Sequence, residues 1–257
     1  MNKNRISGFS VLYGWIIVLG AWAVVSYVFK GSAALLPAPH AVANALGEIF
    51  HSSTLGMDVG TTVGRTLAGY FAAAVTGVVV GLFLGSFPSL YKMLCSPLDF
   101  FRSTPVTALY PMFVLFLGVQ DVSKIAMTAW ACFFIIVINS AYGVFHSNPT
   151  RRQMAVLYGC SPMQAMRWVT FFDALPSIVV GLKIALSYAL IVTVVCEMFM
   201  GSRFGLGQKI TDAYTMYNMP QLFGYIIITG LLGYFANVIF AFLEKKLLPW
   251  VKTQPSI

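Results

Sequence analysis

An all-α, polytopic membrane protein with about six crossings is the fold class that this sequence predicts, and three observations carry the expectation. Hydrophobic residues make up 58% of the 257 and charged residues only 9%, where an ordinary soluble domain is about 25% charged. The apolar residues gather into uncharged runs close to the roughly 20 residues that cross a hydrocarbon core. Between two of these runs lies a polar island, residues 148–176, punctuated as short capped helices. The solvent of this chain is lipid.

The net charge of +8 would suggest nucleic acid as a partner for a soluble chain. In a membrane protein the placement of the charge matters more than its sum, and no nucleic acid is expected. Cys95, Cys132, Cys160 and Cys196 lack paired spacing, and His40, His51 and His146 stand apart. Neither a disulfide framework, a metal site nor a catalytic set is indicated.

Taken in order, Lys3 and Arg5 form a basic start, and 11–29 is the first uncharged run. A signal peptide shares that flank, but its apolar region is usually about 7–15 residues, so an uncleaved first helix is expected. Within 30–62 the spacing of Val42, Leu46 and Phe50 predicts a short amphipathic helix at the outer interface. Residues 1–62 are therefore read as tail, first span and amphipathic segment. A five-helix core follows over 63–250, then a cytoplasmic tail over 251–257.

The second span, 63–86, places Gly77, Gly81 and Gly85 on one helix face, where another helix can approach closely. The spacing marks packing within one subunit or a self-association face. Residues 87–103, with Lys92, Asp99 and Arg102, are polar enough to leave the bilayer. The third span, 104–118, carries Pro105 and Pro111, which remove backbone donors and bend a helix. Irregular backbone at membrane depth is tolerated beside protein or a water-filled cavity, which makes Pro105 and Pro111 candidates for a pathway wall. An ordinary proline kink is the alternative.

After a turn at 119–124, the fourth span is 125–145, the fifth 177–200 and the sixth 222–243. Arg65 near the start of the second span and Glu197 near the end of the fifth fall at one depth, where each is costly unless paired or hydrated. They are pathway or gate candidates: a gating bridge, a static pair, or an Arg65 that meets an anion alone. The loop after the fifth span holds Gly205-Leu206-Gly207 but lacks the spacing of a phosphate loop.

Orientation follows from the loop charges. With the N-terminus inside, Lys30, Arg65, Lys124, Arg203 and Lys209 lie outside and the other eleven of the 16 Lys and Arg lie inside. Both termini and the polar island are then cytoplasmic. In the island, Asn148 can cap a helix opened by Pro149 and ended by a left-handed Gly159. Ser161, Pro162 and Gln164 can start a second helix with a capping box. Each helix is expected to run about ten residues, roughly 15 Å, too short to cross. A capped pair on the membrane surface suits docking to a soluble partner, or is simply an ordered loop.

These residues also carry a resemblance. Gln153-Met154-Ala155, Gly159, Val169 and Leu175-Pro176 resemble the "EAA" coupling loop of the permease subunits of type I ABC importers. Residues 36–39 (LPAP), 62–70 (TVGRTLAGY), 115–119 (LFLGV) and 205–207 (GLG) are similar to the subgroup serving nitrate, sulfonates, taurine and bicarbonate. The loop departs from the family pattern at Gln153 and Met154, and at Phe171-Phe172.

The resemblance implies a permease fold whose coupling loop spans 146–176. Gln153, Met154, Ala155, Leu157, Tyr158 and Gly159 would meet a cytosolic ATPase, two copies of which bind ATP and Mg. It implies a second permease subunit, expected to be identical, and a periplasmic binding protein that delivers a small anion. The chain itself would bind no cofactor and catalyse nothing. A secondary transporter or channel is the competing reading. Such proteins usually carry ionisable residues at the span centres and internal repeats, and this sequence shows essentially none of the first and none of the second.

Overall fold

The computed structural model describes residues 8–28 and 36–250. The basic start with Lys3 and Arg5, the residue Lys30 and the tail 251–257 lie outside the described residues.

Helix α1, Gly8–Val28, takes up the first expected span, and its Trp22 stacks on Phe223 near the far end of the chain. Helix α2, Pro39–His51, is amphipathic, but its buried face is Val42, Ala45 and Ile49, while Phe50 is exposed. That face packs on the last helix, where Gly224 lets the Ile49 side chain approach.

Helix α3 runs from Leu55 to Ser86. Its 32 residues start two turns before the expected position, so Asp58 and Thr62 are helical and fully buried. Residues 87–103, expected as a polar stretch between spans, are helical. Helix α4, Pro88–Ser103, continues after a break through a 3-10 turn at Val106–Leu109 into α5, Tyr110–Leu117. The two halves meet at 86°, the geometry of one broken crossing or of a re-entrant segment. Pro105 caps the turn and Pro111 sits in the first turn of α5, where a missing N–H costs nothing.

Helix α6, Asp121–Phe145, is followed by the short α7, Pro149–Leu157. The second short helix of the polar island does not stand alone. From Pro162 the chain is helical for 39 residues: α8, Pro162–Ala165, passes through a π-turn at Met166–Thr170 into α9, Phe171–Met200. Pro176 lies inside α9 without ending it. A proline removes one backbone bond and can bend a helix without stopping it where neighbours hold both sides. Helix α10, Leu206–Thr215, and α11, Met219–Leu247, complete the chain.

Among the described residues four helices are long and apolar enough to cross a membrane, five with the broken pair. Helices α3, α6 and α9 form the core. Along α3, Gly69, Gly77, Gly81 and Gly85 face Thr128, Ile136, Ser140 and Val144 of α6, a four-residue period on both helices. A Cβ on Gly81 would lie 2.7 Å from the Val137 carbonyl oxygen. The small-residue face thus lies inside the subunit, and close backbone approach replaces the hydrophobic drive that lipid cannot supply. Thr128 and Thr193 share a hydrogen bond of 3.0 Å between α6 and α9.

Candidate functional site

Polar chemistry gathers at the two ends of this core. At one end Asp58, Thr62 and Arg65 follow one another on the inner face of α3, spaced by four and three residues as a helix face requires. Arg65 is their hub. Its Nη1 lies 2.6 Å from Glu197 Oε1 on α9, and the same atom donates to the Phe204 carbonyl at 3.0 Å. Its Nε and Nη2 both reach Asp121 Oδ1 at the start of α6, at 2.9 and 2.6 Å.

Glu197 is 0% exposed and accepts from three donors. Besides Arg65, it accepts from the Thr62 hydroxyl at 2.9 Å and from the Gly207 N–H at 3.0 Å. Thr62 Oγ1 in turn accepts from the Leu206 N–H at 2.9 Å, and Asp58 accepts from the Gly205 N–H at 3.0 Å. A negative group at the N-terminus of α10 satisfies amides that no helical carbonyl can reach. Lys124 Nζ lies 3.8 Å from Asp121, and Lys209 Nζ lies 3.9 Å from Asp58. Three acids and three bases thus meet across α3, α6, α9 and α10.

The Gly205-Leu206-Gly207 motif has its reason here. Gly205 has φ +146, and a Cβ there would sit 2.6 Å from the Glu197 carboxyl carbon. A Cβ on Gly207 would run into the Val194 carbonyl oxygen. Both glycines let α10 lie directly on the carboxylate.

The structure therefore brings the sequence candidates Arg65 and Glu197 together. It adds Asp58, Thr62, Asp121, Lys124 and Lys209, which sequence reasoning passes over. The signal for the first two is the 58–62–65 spacing, hidden by starting the helix at residue 63. Pro105 and Pro111 are elsewhere, at the bend between α4 and α5. Gly77, Gly81 and Gly85 are in the helix core.

At the opposite end, α7 is held by its start. The Asn148 side chain accepts from the Thr150 and Arg151 amides at 2.9 and 3.4 Å, and Arg151 pairs with Asp173 of α9 at 2.6 Å. Gly159 ends the helix with φ +83. Ser161 and Gln164 close their capping box over α8. Beyond these ties the helix is uncovered: Leu157 is 86% and Tyr158 89% exposed, Gln153, Met154 and Gly159 are also exposed, and Ala155 is half-buried. Beside it Met163, Met166, Trp168, Phe171 and Phe172 line an open cavity of about 510 Å³. Exposed apolar side chains thus gather beside a polar loop.

A bundle of long apolar helices with an ion cluster at one end and a short exposed helix at the other is the architecture of a multi-pass membrane protein. Residues 77–252 match the family described as binding-protein-dependent transport system inner membrane component, and the chain belongs to that family. Over 239 residues it is 30% identical to the SsuC permease of Escherichia coli K12, named for aliphatic sulfonates transport, covering 92% of this chain and 90% of that one. The corresponding SsuC of Bacillus subtilis strain 168 is 29% identical over 247 residues, 93% and 88% of the two chains. The formylaminopyrimidine transport permease protein ThiX of Halalkalibacterium halodurans is 34% identical over 153 residues, 60% of this chain and 61% of that one. In structure, the chain is similar to the MetNI methionine ABC transporter in an inward-facing conformation. The TM-score is 0.67 at 20% identity, over 75% of this chain and 95% of that one. The chain is thus the membrane permease component of an ABC importer and is not itself catalytic.

Proposed function

We propose that this chain forms half of the pathway of an ATP-driven importer for a small anion of the sulfonate, taurine or nitrate kind. A second permease subunit, identical to it, supplies the other half. Two copies of a cytosolic ATPase, which bind the ATP and Mg, grip α7 through Gln153, Met154, Ala155, Leu157, Tyr158 and Gly159. A periplasmic binding protein delivers the solute to the end that carries Arg65 and Glu197. Both termini are cytoplasmic, in the inner (plasma) membrane.

The observation that carries this reading is the pairing of the two ends through one core. Helix α6 runs from Asp121 in the ion cluster to Phe145, three residues before the Asn148 cap, and α9 from Asp173, the partner of Arg151, to Glu197. A push on α7 reaches the ion cluster through helices packed too closely to deform. The sulfonate-named relatives supply the cargo class, and the basic excess on the α7 side supports the orientation.

The test is reconstitution. Proteoliposomes holding the permease, its ATPase and the binding protein should take up ethanesulfonate only with ATP on the ATPase side. Uptake that persists without ATP would favour a secondary transporter. ATP-driven uptake of other solutes but of no sulfonate or nitrate would keep the importer and refute the cargo.

A further inference from the structure

The bent helix pair places two paired charges beside the middle of α6, where the sequence alone suggests none. Helix α6 supplies the ruler. Tyr91, early in α4, packs on Phe145 at the end of α6, with ring centres 4.8 Å apart. Phe101, late in α4, packs on Trp130 and Phe134 at 5.5 and 5.7 Å. At 1.5 Å per residue these two lie about 13 and 20 Å along α6 from Asp121, in a helix about 37 Å long. Helix α4 therefore climbs from one end of α6 to its middle, and Arg102 arrives there next to Phe101.

Arg102 pairs with Asp99 one turn back, through a single contact of 3.1 Å, with side chains 51% and 61% exposed in the single chain. A guanidinium and a carboxylate half-bare at this depth do not face lipid, and they call for water or protein. Arg102 also lines a small cavity of about 70 Å³ with Trp130, Phe134 and Tyr188. Val106 and Tyr188 form its border with a second cavity of about 170 Å³, under the Pro105 bend and lined by Thr107, Met127 and Val195. Trp130 stands in the wall of the first cavity. A guanidinium held by one exchangeable carboxylate beside aromatic walls is what a small oxyanion needs.

We propose that Arg102 is the contact for an oxyanion solute in the transport pathway, and that Asp99 occupies the guanidinium until the solute displaces it. The proposal rests on the permease reading above and names the place where its cargo is held. Arg65 is excluded from that role because two carboxylates and a carbonyl already engage it.

The test uses the assembled complex and a probe that does not depend on knowing the cargo. Ser103 is exposed beside Arg102. In Ser103→Cys, 2-sulfonatoethyl methanethiosulfonate should label residue 103 from water, above the background of the unsubstituted chain and faster than its trimethylammonium analogue. Adding Arg102→Gln should lower that rate ratio about tenfold, as loss of one nearby charge in a poorly solvated site predicts. Adding Arg102→Lys should keep it. In uptake, Arg102→Gln should raise the KM for ethanesulfonate and Asp99→Asn should lower it. No labelling at 103, or a ratio that ignores Arg102→Gln, overturns the proposal, as does an unchanged KM in both variants. A wild-type complex that moves no sulfonate or nitrate refutes the cargo assigned above, and the labelling ratio alone then decides this site.

Discussion

Glu197 and Tyr158 mark the two ends of the same helix core, and their surroundings are opposites. Glu197 has no exposure and bonds to a guanidinium, a hydroxyl and a backbone amide. Tyr158 is almost bare at the end of a nine-residue helix tied down chiefly by an Asn cap and one ion pair. One end turns its charges on one another; the other is tied only at its start and offers exposed side chains. A change at the first should therefore be felt in folding, and a change at the second in partnership.

The largest expected effect tests the closed end. Glu197→Ala leaves Arg65 with one carboxylate fewer and strips the acceptor from the start of α10. Breaking a buried pair by removing one partner costs about 3–5 kcal/mol. The purified permease should melt at a much lower temperature in detergent, or fail to accumulate. The gentler Glu197→Gln and Arg65→Gln separate two roles of the pair. If it gates, both should raise basal ATP hydrolysis without the binding protein. If it is static, both should lower the melting temperature and leave coupling intact. Additive effects on basal hydrolysis in the double variant would show that the two residues do not act as one unit.

Next comes the core that joins the ends. Gly81→Leu has no room against Ser140 and the Val137 carbonyl. Overpacking of this kind costs about 1–3 kcal/mol, more when backbone must move. An unchanged melting temperature would mean that α3 and α6 do not meet at Gly81. Smaller still is Gly159→Ala at the open end. Nothing crowds a Cβ there, so only the left-handed conformation is penalised, by about 1–2 kcal/mol. That loss should fray α7 and weaken coupling while the melting temperature of the permease barely moves.

The contrast also explains what can be read from the sequence. Long apolar runs announce the crossings because lipid leaves only composition and length to decide them. The Asn148 and Ser161 caps are legible because capping is local chemistry written in adjacent residues. Asp58, Thr62 and Asp121 are not, since their partners lie on other helices and a polar residue looks like a loop until its partner is known. Helix α4 is hidden in the same way, because Asp99 and Arg102 interrupt the apolar run. Pro176 misleads in the opposite direction: it suggests a break between a surface helix and a span, whereas the helix runs through it. The spacing of Val42, Leu46 and Phe50 announces the amphipathic α2, but not that Ile49 is the side chain that meets α11.

The central claim is that α7 transmits the work of an ATPase without contributing to the fold. Its most direct test is Ala155→Glu in the reconstituted complex, read as ATP hydrolysis stimulated by the loaded binding protein, beside the melting temperature of the permease alone. A charge set into a packed partner groove, unpaired, costs several kcal/mol, enough to undo the grip. The account predicts that stimulation is lost while the melting temperature stays at the wild-type value. Wild-type stimulation in the Ala155→Glu complex would contradict it.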